Sequence, residues 1–111
     1  MLKRYDPKSI DVLYSHNDDM TFGAIEVMRE AGITPGKDIS IISVDATQRI
    51  IDYLKEGVVN CVIECNPNSG PQVMEIAKEI VAGKKVHKRT YIAEMVFDEY
   101  TDPGSIADRG Y

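Results

Sequence analysis

Tryptophan is absent from the 111 residues, which hold only two phenylalanines and two cysteines. The basic run Lys84-Lys85-Val86-His87-Lys88-Arg89 therefore has no interleaved aromatic on which bases could stack, and it reads as a solvated loop. Positive charge is in deficit. Thirteen Lys and Arg against 18 Asp and Glu give a formal charge of -5, which excludes the basic stripe that attracts nucleic acid or an anionic membrane. Cys61 and Cys65 fall on one predicted strand, ~13 Å apart at strand rise, beyond the ~7 Å that a disulfide spans between Cα atoms. They cannot bridge each other there, and no second Cys/His pair at ligand spacing supports a zinc site. Long hydrophobic runs are missing too. Nothing approaches the ~18 apolar residues of a membrane span, and Met1-Leu2-Lys3-Arg4 leads into no signal-type apolar core. The chain is expected either to be cytoplasmic or to have its export signal outside these residues. No strand is followed by a Walker loop or by dinucleotide glycine spacing, so those phosphate cradles are excluded.

What is present suits one modest globular core: 43% hydrophobic and 28% charged residues. Leu2 to Ser9 reads as an incoming connection in which Pro7 discourages helix. Ile10 to Tyr14 is a short, β-prone, mostly apolar run, as expected for a strand covered on both faces. From Asp18 or Asp19 the period becomes helical, with Met20, Ala24, Val27, Met28 and Ala31 on one stripe and Gly32 at the stop. The two acids suit the helix start, where side-chain oxygens cap orphan amides. Ile39 to Val44 is a second buried-type strand, followed by a helix that Thr47 can cap, with Ile50, Ile51 and Leu54 on its face and Gly57 at its end. Val58 to Ile63 is a third strand.

Asn66 to Gln72 is a break leading into a capping box, Ser69 and Gln72, with Pro71 in the tolerant first turn. The helix it opens carries a stripe of Val73, Ile76, Ala77, Ile80 and Val81 and ends at Gly83. Thr90 to Phe97 is a fourth extended segment. The tail from Asp98 has little to bury and is expected to be loosely held. The order β-α-β-α-β-α-β builds a mostly parallel sheet with helices on its faces, an α/β fold.

Three strand ends are polar: Ser15-His16-Asn17-Asp18-Asp19, Asp45-Ala46-Thr47, and Glu64-Cys65-Asn66-Pro67. Open α/β sheets bind ligands in the crevice outside such ends. Asn17 supplies an acceptor and two donors, and Asp45 supplies acceptors only, a set that matches adjacent hydroxyls of a polyol or sugar. Each has an equally good local role: Asn17 can satisfy loop amides and Asp45 can cap a helix. A metal held by His16, Asp18 and Asp19 is disfavoured, because adjacent acids at a helix start already have a local purpose. A His16, Asp45 and Cys65 triad is disfavoured as well, since no nucleophile elbow or oxyanion loop accompanies it.

His16-Asn17-Asp18-Asp19-Met20 with Gly23-Ala24, Gly32-Ile33 with Gly36-Lys37-Asp38-Ile39, Ser43-Val44-Asp45-Ala46, and Glu64-Cys65-Asn66-Pro67 together resemble the type I periplasmic sugar-binding proteins of bacterial ABC transporters. The similarity runs from about Asp11 to Phe97 and is strongest to the ribose and galactofuranose binders. It implies an incomplete, Rossmann-like type I periplasmic-binding-protein lobe, the C-terminal third or so of a longer chain, with one helix belonging to the second lobe. It further implies a partial lobe over residues 1–66, a hinge and other-lobe helix over 67–89, and a return strand and tail over 90–111. Asn17 and Asp45 match positions that contact ligand, and a third contact falls at Glu64 or Cys65. The resemblance implies a monosaccharide ligand, an ABC transporter permease as partner, a periplasmic location, no nucleic acid, no cofactor and no catalysis.

No stacking platform for a sugar ring is evident in the composition. A lone partial lobe is expected to bind sugar poorly and to self-associate through its unpaired apolar surfaces. The alternative reading is the effector domain of a lac-repressor-type transcription regulator. A receiver-like or small doubly wound enzyme acting through Asp18, Asp19 or Asp45 is weaker, because no lysine occupies a later strand end.

Overall fold

Two βα units set side by side dominate the architecture of the computed structural model, which describes residues 4–111. Strands β1 (Val12–Tyr14), β2 (Ser40–Asp45) and β3 (Cys61–Glu64) run parallel, with Tyr14 beside Ile42, Ile42 beside Cys61 and Asp45 beside Glu64. Helix α1 (Asp18–Glu30) connects the first two strands and α2 (Gln48–Lys55) the next two. The strand order equals the chain order, so right-handed crossovers put both helices on the same face. That face carries Ile41, Ser43, Val62 and Phe97, and it closes a core with Ile25, Met28, Ile50, Ile51 and Leu54. Each of those large apolar side chains contributes about 1.5–3 kcal/mol on burial. The opposite face, with Val12, Tyr14 and Val96, is exposed.

The α/β class and mostly parallel sheet agree with the expectation from sequence. The fourth strand does not continue the pattern: β4 (Val96–Asp98) is only three residues long and pairs antiparallel with β3. Thr90 to Met95 lies outside it and is irregular. Its orientation is set by where the chain re-enters, which a run of β-formers does not encode.

Three local expectations change. On α1 the buried face is Asp18, Thr21, Ile25 and Met28, whereas Met20 and Val27 are 56% and 50% exposed. Polar residues inside the interface rotated the true stripe away from the apolar one. On α3 (Gly70–Val81), Ser69 occupies the cap position but makes no side-chain cap bond, so the capping box does not form. No residue of α3 is buried, and Val81 is 89% exposed. The tail, finally, is held: Ile106 is buried in the core and Arg109 and Tyr111 are bonded to Glu64. Of the incoming connection, Leu2 and Lys3 lie outside the described residues, and Pro7–Ser9 forms a single 3₁₀ turn.

The turn before β2 illustrates why a glycine is needed. Gly36 has φ +77°, and a Cβ there would overlap the Gly57 carbonyl oxygen and lie 2.9 Å from the Val58 carbonyl carbon. Asn60 locks the same corner by donating to the Gly36 carbonyl at 3.0 Å and accepting the Ile41 amide at 2.8 Å. The amino ends of β2 and β3 are thereby fixed, and with them the level at which the strands end.

Candidate functional site

Because β1, β2 and β3 are parallel, their three helix-bound junctions open along one edge of the sheet. Asn17 is the N-cap of α1: its Oδ1 accepts the Met20 amide at 2.9 Å. Its Nδ2 has no partner among the described residues and is free to donate. The next residue, Asp18, provides the link to the second junction, since its amide lies 3.4 Å from Asp45 Oδ2. Asn17 and Asp45 thus belong to one rim.

The cap role expected of Asp18 falls to Asn17, and Asp18 turns inward. Only 1% exposed, its carboxylate accepts the Ser43 hydroxyl at 2.7 Å and both the amide and hydroxyl of Thr47 at 2.8 Å. The Thr21 hydroxyl lies 2.6 Å from that of Ser43 and 3.0 Å from the Asn17 carbonyl, so its single proton is shared between those two acceptors while the Ser43 proton goes to Asp18. One buried carboxylate therefore joins the start of α1, the middle of β2 and the start of α2. Thr47 makes no side-chain cap bond of its own for α2. It spends its hydroxyl on Asp18 instead.

Asp45 and Ala46 both have positive φ, 127° and 71°. Non-glycine residues in such regions carry about 1–3 kcal/mol of strain each, and they concentrate where a chain must present a group in a particular direction. The strain is held in place by complete burial of Ala46, by the bond from the Cys65 amide to the Asp45 carbonyl at 3.1 Å, and by the Asp18 grip on Thr47. Burial raises the Asp45 carboxyl above the ordinary carboxylate range, with repulsion from Asp18 and Asp19 adding to the effect and the Asp18 amide opposing it.

At the third junction the two neighbours behave differently. Glu64 is buried, with Oε2 taken by the Met95 amide at 2.9 Å and Oε1 shared by Arg109 at 2.8 Å and the Tyr111 hydroxyl at 3.0 Å. Cys65 is an exposed free thiol. His16 is exposed and meets the Tyr14 ring edge to face at 5.2 Å, while Asp19 is exposed on the first turn of α1. A cavity of about 590 Å³ opens at the far end of the sheet, lined by Lys8, Ile10, Asp11, Ile33 and Asp38. Size alone would favour that cavity. The unspent donor and acceptor, the strained backbone and the converging junctions are all at the carboxyl ends of the strands, where α/β sheets bind ligands.

Sequence reasoning marked Asn17 and Asp45 but missed Ser43 and Thr21 beneath them. The available signal was a polar side chain inside a β-branched strand, and a Thr three residues after Asp18 on the same helix face. It also missed Arg109 and Tyr111, for which no local pattern exists.

Residues 1–85 match the family model described as a periplasmic binding protein domain. The chain is 39% identical over 84 residues to the galactofuranose-binding protein YtfQ of Escherichia coli, covering 75% of this chain and 26% of that protein. It is 32% identical over 98 residues to the fructose import binding protein FruE of Bifidobacterium longum, covering 88% of this chain and 29% of that one. A crystal structure from Mycobacterium smegmatis in complex with β-D-fucofuranose superposes with a TM-score of 0.80 at 41% identity, over 88% of this chain and 32% of that chain. The chain thus spans between about a quarter and a third of the length of these proteins.

Proposed function

Since the chain belongs to the periplasmic binding protein domain family, we propose that it forms part of a solute-binding protein that closes on a monosaccharide and delivers it to an ABC transporter permease. The observation carrying this reading is the rim itself: Asn17 keeps an uncommitted donor and Asp45 an uncommitted acceptor on adjacent junctions. Neighbouring sugar hydroxyls, each donor and acceptor at once, suit that pair, and charge-assisted bonds to Asp45 give the stronger share. Cys65 takes the third position, because both carboxylate oxygens of Glu64 are engaged within the chain. The role is binding and release without chemistry, in an extracytoplasmic compartment; the family description as a periplasmic binding protein domain, and relatives named for binding galactofuranose and for fructose import, support it. Those names favour transport over the lac-repressor-type alternative.

The same reading assigns residues 1–66 to a partial C-terminal lobe, 67–89 to a hinge and a helix of the other lobe, and 90–111 to the return. Its support is that α3 buries nothing against the sheet, and that the chain leaves at Asn66 and returns at Met95 beside the rim. Closure of two lobes over a guest is a hinge motion of familiar type.

A thermal-shift panel of D-galactose, D-ribose, D-fructose and L-arabinose tests the proposal, run on this chain and on a longer form in which the second lobe is supplied. At a hundredfold excess over Kd a true ligand stabilises by about 2.7 kcal/mol. The shift is expected in the longer form and is abolished by Asn17→Ala or Asp45→Ala. Conversion of any sugar to another compound would contradict a pure binder.

A further inference from the structure

Arg109 and Tyr111 lie beyond residues 1–85, which the family model covers, yet the fold brings them to the candidate rim. Arg109 Nη1 and the Tyr111 hydroxyl both donate to Glu64 Oε1, at 2.8 and 3.0 Å. The backbone closes the arrangement. The Arg109 amide donates to Gln48 Oε1 at 2.7 Å, and the Gln48 amide donates to the Tyr111 carbonyl at 2.8 Å. The Arg109 guanidinium also lies over the Phe97 ring at 4.7 Å. Two residues, Arg109 and Tyr111, therefore hold the end of β3, the first turn of α2 and β4 at once. Arg109 and Glu64 form an ion pair with side chains 15% and 4% exposed, and Arg109 Nε is buried without a partner among the described residues. A buried charge pair with one donor left over is a poor device for stability alone.

We propose that Arg109 and Tyr111 are positioning residues of the strand-end rim. They act through Glu64. By occupying its carboxylate they withdraw that charge from a guest, and they fix the backbone from which Cys65 projects and whose amide holds the Asp45 carbonyl. The proposal deepens the sugar-binding reading and rests on it, so the test has one arm that needs no sugar.

In a Cys61→Ser background, Cys65 is the only thiol, and its rate of modification by a disulfide reagent at room temperature reports how firmly the end of β3 is held. Arg109→Gln is expected to change that rate roughly fivefold or more, a local opening distinct from global unfolding. Arg109→Lys, which keeps the charge, is expected to restore most of it. In the longer form, affinity for whichever of D-galactose, D-ribose, D-fructose and L-arabinose stabilises the unmodified protein is expected to fall about tenfold in Arg109→Gln. A variant that loses thermal stability yet keeps both the labelling rate and the affinity would overturn the proposal, leaving a structural clasp. Should Arg109→Gln not fold, Tyr111→Phe removes a single hydroxyl and carries both measurements. If no sugar binds the unmodified longer form, the sugar-binding reading fails, and the labelling arm still decides whether these residues position the rim.

Discussion

Asp45 unites strain, charge and position in one residue. Its φ of 127° presents the carboxylate beside the start of α1, and its carboxyl ionises at higher pH than an ordinary aspartate because it is desolvated and faces Asp18 and Asp19. The sign of the pH dependence follows. The folded state holds its proton more readily than the unfolded one, so between the unfolded and folded values stability falls as pH rises. Binding runs the other way, because a hydroxylated guest gains most from the ionised form. Sugar affinity in the longer form is expected to decline on mild acidification, before ordinary carboxylates titrate, and titration calorimetry across that range checks it. Asp45→Asn should bind more weakly at neutral pH and lose the dependence. The presence of Asn17 and Asp45 at the rim was legible in sequence, because strand ends and helix starts are local features. The inward turn of Asp18 was not, since it answers to Ser43 and Thr47, which lie on a different βα unit.

Among the elements, the parallel core was readable and its boundary was not. Short β-branched runs separated by helical periods define β1 to β3, and right-handed crossovers leave little freedom in their order. The antiparallel β4 and the anchored tail depend on contacts between residues far apart in the chain, such as Arg109 with Glu64, which no local pattern records. The turn into β2 offers a direct test of how strictly element placement is enforced. Gly36→Ala combines a positive φ with overlap on the backbone of Gly57 and Val58, for which strain and overpacking together cost about 3 kcal/mol or more. Chemical denaturation should show that loss, whereas alanine at Gly57, also at positive φ but with open space around its Cβ position, should cost less.

At the scale of the whole molecule, the radius of gyration is 18.1 Å, against ~13 Å for a compact chain of this length. The difference is α3, standing clear of the sheet with Val73, Ile80 and Val81 exposed. The sheet face bearing Val12, Tyr14 and Val96 is likewise uncovered, and β1 forms an open edge among the described residues. Parallel sheets are ordinarily covered on both faces, and bare edges invite pairing. The 111-residue chain alone is therefore expected to exceed its 12.4 kDa monomer mass in light scattering, with Val12→Lys and Tyr14→Lys together returning it toward that mass. A monodisperse 12.4 kDa species at all concentrations would contradict this.

The single inward carboxylate of Asp18 has a thermodynamic corollary. Because it serves the first turn of one helix and the approach to the next through three atoms of Ser43 and Thr47, neither junction can wander independently. On the proposed reading, a guest would meet a rim already ordered on this lobe, so that little freedom of these junctions would be lost on association.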